Sequence, residues 1–225
     1  MSKLYLVPTP IGNLEDFTFR AVRILKETEI ILAEDTRRTQ ILLKKYDIHK
    51  TLTSYHKYNE HKITDRIVEQ IQSGKMVALV ADAGTPGISD PGYFIVNKCL
   101  EKDIPVECLP GPTALIPALA SSGIPSNRFA FEGFLPAKKG RKKRLQELAC
   151  EKRTIILYES PHRIIKTLKD LSLSLGPERN AVLARELTKI HEEIIRGTIE
   201  DIVNKVESNP VKGEIVIIIQ GNTSK

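Results

Sequence analysis

No Gly-x-Gly occurs anywhere in the 225 residues, so neither the dinucleotide fingerprint nor the related glycine loop of common Rossmann enzymes is present. Gly87-Ile-Ser-Asp-Pro-Gly92 has the Walker spacing, but Tyr93 follows where a phosphate-binding lysine would stand, which argues against a P-loop. Cysteines are scarce, odd in number and dispersed (Cys99, Cys108, Cys150), and that excludes a disulfide framework. His49, His56, His61, His162 and His191 have no cysteine or carboxylate partners at zinc spacing, so no metal site is expected. Long apolar runs are also missing. Ile215-Val-Ile-Ile-Ile219 is far too short to cross a bilayer, and Met1–Val7 lacks the apolar region of a secretory signal. A cytoplasmic protein without membrane contact is the expectation.

Apolar residues make up 41% of the chain and charged residues 28%, enough for a globular protein with a real core. The most informative stretch is Asp82-Ala-Gly-Thr-Pro-Gly-Ile-Ser-Asp-Pro-Gly92, which follows the strand-like Met76–Ala81. Glycine-rich turns at the carboxyl ends of strands are where open α/β sheets bind ligands, because backbone can approach a ligand closely there. Asp82, Thr85, Ser89 and Asp90 give this turn more polar groups than a plain connection requires. Asp90-Pro91 reads as a helix start, a capping carboxylate followed by proline.

Net charge is +6, from 34 Lys and Arg against 28 Asp and Glu. All of that excess lies between Lys138 and Arg153, which holds eight basic and two acidic residues. Lys138, Lys139, Arg141, Lys142, Lys143 and Arg144 crowd into seven positions. A cluster of this kind attracts polyanions, and a solvated helix face is the competing explanation.

Strand-like and helical patterns alternate, which is the α/β signature. Expected strands are Lys3–Val7, Glu29–Ala33, Met76–Ala81, Val106–Leu109, Phe129–Phe131, Thr154–Tyr158, Ala181–Leu187, Glu192–Arg196 and Glu214–Ile219. Phe17, Ala21, Ile24 and Leu25 form one helical face and Ile63, Ile67 and Ile71 another, with Asp16 and Thr36 as expected caps. Only four residues separate the strands ending at Leu187 and starting at Glu192, so they form an antiparallel hairpin and the second sheet is mixed. Turn formers concentrate in Ser121–Asn127, placing a boundary between domains 1–122 and 123–225. There is no internal repeat.

Polar, turn-rich strings stand at the ends of the expected strands: Pro8-Thr-Pro-Ile-Gly-Asn-Leu14, Ala33-Glu-Asp-Thr-Arg37, Asp82–Gly92, Leu109-Pro-Gly-Pro-Thr-Ala114, Tyr158-Glu-Ser-Pro-His-Arg163 and Ala184-Arg-Glu-Leu-Thr-Lys189. Loops at one sheet edge converge and can surround one cleft. With Phe131-Glu-Gly-Phe-Leu-Pro136 and Lys212-Gly-Glu-Ile-Val216 they run in order along nearly the whole chain. In these strings the chain resembles the 16S ribosomal RNA cytidine 2′-O-methyltransferases of the tetrapyrrole methylase superfamily.

The resemblance implies two α/β domains of the non-Rossmann tetrapyrrole methylase type, S-adenosylmethionine in a cleft between them, and a homodimer. It implies methyl transfer to a ribose hydroxyl of a decoding-site cytidine in 16S rRNA of the small ribosomal subunit. By motif match the cofactor residues are Pro10, Asp82, Ala83, Gly84, Thr85, Pro86, Gly87, Thr113 and Ala114, then Leu187, Gly213, Glu214 and Ile215. Tyr58 stands where relatives usually carry a second histidine. Phe17 and Phe19 replace smaller or aliphatic residues. Many relatives also continue into a small helical region beyond the point where this sequence stops; either RNA docking does not need that region, or Lys138–Arg144 takes on more of it.

A ribose hydroxyl needs a base or a charge that stabilises the developing alkoxide. Glu159 and Glu186, each following a strand in a matched string, are the favoured candidates, with Asp35, Lys189 and His56 beside them. Ion pairing of Asp35 with Arg37, or of Arg185 with Glu186, competes with catalysis for these groups. Tyr55 and Tyr58 offer rings on which a splayed base could stack, and a surface loop with incidental aromatics is the equal alternative. Methylation of a porphyrinoid or a protein side chain is the alternative within the superfamily, and a non-catalytic RNA-binding assembly factor the alternative outside it.

Overall fold

Short runs of branched apolar residues become strands in both halves of the chain, and each half closes its own sheet. The computed structural model describes residues 2–223, in two units that divide between Thr113 and Ala114. The first unit holds β1 (Leu4–Leu6), β2 (Ile30–Ala33), β3 (Leu52–Ser54), β4 (Val77–Val80) and β5 (Val106–Cys108). All pair in parallel, in the order β3-β2-β4-β1-β5. Both faces of this sheet are covered, which is why its central strands read as unbroken apolar runs. Helices α1 (Phe19–Glu27) and α2 (Thr36–Lys45) pack Ile24, Leu25 and Leu43 on one face. Helices α3 (Glu60–Gln72) and α4 (Tyr93–Leu100) pack Ile67, Ile71, Ile95 and Cys99 on the other.

That division of helices locates a crevice. The chain leaves β1 towards β2 and leaves β4 towards β5, in opposite directions along the sheet, and right-handed crossovers send the two connections to opposite faces. The switch point of this sheet therefore lies between the neighbouring strands β1 and β4, beyond their carboxyl ends.

The second unit holds α5 (Leu115–Ser122), β6 (Phe129–Phe134), α6 (Arg141–Ala149), β7 (Thr154–Glu159), α7 (Ile164–Leu175), β8 (Asn180–Arg185), β9 (Glu193–Thr198), α8 (Ile199–Ser208) and β10 (Ile215–Ile219). Its sheet runs β6-β7-β10-β8-β9, with β6 and β7 parallel and the other pairs antiparallel, the mixed sheet and hairpin expected from the sequence. Leu145, Leu168, Leu171, Ile202 and Val206 from α6, α7 and α8 bury against Ile155, Leu157, Leu183 and Ile217.

Local signals shifted in three places. Helix α1 is capped by Thr18, whose side chain accepts from the Ala21 amide, while Asp16 closes a preceding 3₁₀ turn. Helix α2 is capped by Asp35, one residue before Thr36. Helix α4 starts at Tyr93 after Gly92, beyond Asp90-Pro91. Helix α5 precedes the turn-rich 121–127 stretch yet belongs with the second unit, so the division falls before it.

Candidate functional site

Because the first sheet is wholly parallel, all five of its strands end at one edge, and the loops quoted above for this unit leave from there. They are tied to one another. Thr9 and Gly84 exchange both backbone hydrogen bonds, at 2.9 Å each, which joins the Pro8–Leu14 loop to Asp82–Gly92 across the β1/β4 switch point. The buried Thr9 hydroxyl donates to the Ala81 carbonyl (3.0 Å), and the Thr85 hydroxyl to that of Pro112 (3.0 Å). Gly92 lies so close to Gly87 that a Cβ on Gly92 would sit 3.1 Å from Gly87 backbone, so the loop folds tightly upon itself where Gly92 lacks a side chain, while Gly87 turns at a positive φ of 82°. Pro10, Asp82–Gly87 and Thr113 thus share one edge. Ala114 opens the second unit as the residue before α5.

The carboxylates at this edge differ sharply. Asp35 accepts from the Arg37 amide and from Nε and Nη2 of its guanidinium at 2.8–3.1 Å, and those bonds hold its carboxyl down at about 2. It is the satisfied ion pair that competed with catalysis. Asp82 accepts from the Asp35 amide at 3.0 Å and lies 3.4 Å from Arg38. Glu34, inside a quoted string but not singled out in the sequence, takes part in no hydrogen bond or ion pair among the described residues. Its carboxyl is pushed up by burial and then by Asp82, partly offset by His56 and Arg38. No pattern in a string announces such a group, since the shift comes from neighbours on other strands.

His56 accepts from the Tyr58 amide at Nδ1 (3.2 Å), and its own amide donates to Asn59. Tyr58 is exposed. Tyr55 is not available for stacking: it is fully buried, bonds the Thr64 hydroxyl at 3.1 Å, and burial pushes its phenol up to about 12.

In the second unit, β10 runs against both neighbours, so its first residue meets the last residues of β7 and β8: Ile215 pairs with Glu159 and with Arg185. Glu159, Glu186, Leu187 and Gly213–Ile215 therefore share an edge. Glu159 is 3% exposed, and both its oxygens are engaged, by the Ser160 amide (2.8 Å) and the Thr167 hydroxyl (2.6 Å), with Arg163 at 3.5 Å. That set of partners marks a buried structural carboxylate rather than an open base. Glu186 accepts from Lys189 and from the Glu214 amide, both at 2.9 Å, and the lysine chiefly lowers its pKa. Lys189 also reaches Glu214 at 3.1 Å. The Arg185–Glu186 pair expected from the sequence does not form. Arg185 turns to Glu193 (2.8 Å), its directly opposed partner on β9.

The basic run separates into two kinds of residue. Lys138, Lys139, Lys142 and Lys143 are exposed and make no ion pair among the described residues. Arg141 turns inward, 7% exposed, where its guanidinium donates to Asp170 (2.8 Å), the Pro136 carbonyl (3.1 Å) and Thr167 (2.9 Å). It is a core residue and leaves the basic face. Arg144 is held between Glu132 and Glu147. Among the described residues no group of His, Cys, Asp and Glu has metal-binding geometry, and no helix is long and apolar enough to cross a membrane.

Comparison with known proteins is consistent in its direction. The family model described as Tetrapyrrole (Corrin/Porphyrin) Methylases matches residues 3–203. Ribosomal RNA small subunit methyltransferase I of Synechocystis sp. is 51% identical over 99% of this chain and 80% of its own length. Its namesake in Thermotoga maritima is 47% identical over 98% of this chain and 99% of its own. Among solved structures, uroporphyrin-III C-methyl transferase from Thermus thermophilus, complexed with S-adenyl homocysteine, superposes with a TM-score of 0.66 at 22% identity, over 97% of both chains.

Proposed function

The chain belongs to the tetrapyrrole (corrin/porphyrin) methylase family, in its ribosomal RNA small subunit methyltransferase I branch, and from that footing we propose that it moves a methyl group from S-adenosylmethionine to the 2′-hydroxyl of a decoding-site cytidine in 16S ribosomal RNA. The observation that carries this reading is identity near one half, sustained over almost the whole chain, to proteins of that one name. We further read it as a cytoplasmic homodimer.

In the first unit the residues suited to the cofactor are Pro10, Asp82–Gly87 and Thr113, at the switch point where the two loops bond. Glycine backbone there gives close approach, and the Asp82 carboxylate offers an acceptor to a cationic ligand. In the second unit the residues assigned to it are Ala114, Leu187 and Gly213–Ile215. S-adenosylmethionine supplies a methyl group made electrophilic by its sulfonium, so the protein's task is positioning and proton removal. Asp35 is too weak a base with its carboxyl near 2, Glu186 is held low by Lys189, and Glu159 is buried among donors. Glu34, whose carboxyl is raised and free of hydrogen bonds, is the group we assign to receive the ribose proton at one of its Oε atoms. Lys142 and Lys143, with Lys138 and Lys139, attract the RNA backbone.

The test is transfer of labelled methyl from S-adenosylmethionine to small ribosomal subunits taken from cells lacking this gene, followed by nucleoside analysis. Label in 2′-O-methylcytidine at one decoding-site position is the expected result. Cofactor binding without label in RNA would redirect the assignment to a porphyrinoid or protein substrate. Failure to bind the cofactor would leave a non-catalytic RNA-binding role.

A further inference from the structure

Edge strand β6 carries one residue more than its partner uses. Phe131 pairs with Ile156 and Gly133 with Leu157, so Glu132 is the extra residue of a β-bulge, and Gly133 turns at φ 60°. In a regular strand residues 131 and 134 would project from opposite faces. The bulge reverses that parity, as bulges at sheet edges do when they re-aim a side chain. Both rings consequently meet Tyr158 edge-on, with centroids 5.0 Å and 5.9 Å away. Phe134 is steadied by that contact yet remains 51% exposed.

Beside the ring lies a groove of about 420 Å³ between the end of β6 and the start of α6, walled by Phe134, Glu132, Lys143, Arg144 and Glu147. That size is within the range of small-ligand sites, about 300–1,000 Å³. Arg144 is fixed in its wall by Nε donating to Glu132 (2.7 Å) and Nη1 to Glu147 (2.6 Å). The guanidinium lies between the two acids, and the four exposed lysines nearby remain as an uncompensated positive field.

We propose that this groove holds an unpaired nucleotide of the substrate RNA. Its base stacks on the open face of Phe134, its polar edge meets the Glu132–Arg144–Glu147 array, and Lys142 and Lys143 hold the adjoining phosphates. The inference rests on the ribosomal RNA reading above and adds a contact carried by the second unit. Three features select this occupant. An exposed, oriented aromatic ring beside cationic side chains is how proteins bind single strands, whereas a duplex keeps its bases from such a ring. Glutamate and arginine are side chains that discriminate base edges. The charge field matches a polyanion.

The chain has no tryptophan, so Phe134→Trp would place a single indole at the groove. Titration with a single-stranded oligoribonucleotide of the decoding-site sequence should quench it. Phe134→Leu should weaken binding of that RNA about 5- to 150-fold, the usual worth of one stacked base, and Phe134→Tyr, which keeps the ring, should retain affinity. S-adenosylhomocysteine should stabilise the parent protein and all three variants alike, showing that they are folded. Unchanged affinity in Phe134→Leu and no quenching in Phe134→Trp, with the parent protein still methylating RNA, would overturn the groove and leave the enzyme assignment intact. A change of oligomer mass in Phe134→Leu with RNA affinity unaltered would make the ring a protein contact and overturn it equally. A parent protein that neither binds nor methylates ribosomal RNA would remove the reading and the groove together.

Discussion

Glu34 and Asp35 are neighbours in sequence with opposite electrostatics. Asp35 caps α2 and bonds Arg37, so its charged form is favoured. Glu34 loses solvent and faces Asp82 from β4 and Asp35 from its own loop, with His56 from the β3 loop and Arg38 from α2 acting against them; its charged form is disfavoured. A carboxylate base acts when deprotonated, so methyl transfer should rise with pH along a limb displaced above the ordinary glutamate value of about 4.3. Glu34→Gln should remove that limb and lower kcat about 10²- to 10⁴-fold, with cofactor affinity unchanged. Stability should move the other way. A carboxyl whose folded pKa is raised supports the fold below its unfolded pKa, and that support is lost as pH rises through the folded value. Glutamine imitates the protonated form, so Glu34→Gln should melt no lower than the parent protein at neutral pH. A large fall in Tm would mark Glu34 as structural, and an unshifted pH profile would remove it from the chemistry.

At the scale of elements, β6 shows how one residue's geometry governs a surface. Gly133 occupies the left-handed region that β-branched residues avoid. Gly133→Val should therefore cost about 1–3 kcal/mol of stability and, by displacing Phe134, should weaken RNA binding as well, read by thermal melting and oligonucleotide titration on one sample. Elements of this kind also decide what the sequence can disclose. Nine strands are legible as apolar runs, and the hairpin of β8 and β9 follows from four intervening residues. Strand β3 is not, because Leu52-Thr-Ser54 is a three-residue edge strand without alternation or a continuous apolar run. Caps slip by one or two positions where several capping residues stand together, as Asp16 and Thr18 do. The loops that share the first sheet edge are legible as turn-rich strings at strand ends. The environment of Glu34 is not, since it is assembled from β2, β3 and β4. Phe134 escapes notice because the expected strand stops at Phe131, short of the bulge that re-aims the chain, and Tyr55 misleads because an aromatic residue in a polar string looks exposed.

For the whole molecule, the distribution of charge carries more information than its total. The net +6 resides within 138–153, in the second unit, while the rest of the chain is balanced. Within that run the fold assigns different work to residues that look equivalent. Replacing Lys138, Lys139, Lys142 and Lys143 with alanine takes the formal charge from +6 to +2. If all four neutralise phosphates, the log–log salt dependence of single-stranded RNA binding should flatten by about 2.8, at ~0.7 per contact. The lysines are exposed and unpaired among the described residues, so Tm should change little. Arg141→Ala removes a charge of the same sign with the reverse outcome. Its guanidinium bonds Asp170 and Thr167, and Thr167 in turn donates to the buried Glu159, so truncation leaves polar groups in the second core without partners. Breaking a buried pair costs about 3–5 kcal/mol, with the lower end expected because Asp170 is partly solvated. The salt slope of Arg141→Ala, measured below its melting temperature, should equal that of the parent protein. Two variants that lose charge from one seven-residue run, one changing only the slope and the other only the stability, would establish that the run divides between RNA contact and core. A flattened slope in Arg141→Ala would place its guanidinium on the RNA and contradict the buried network.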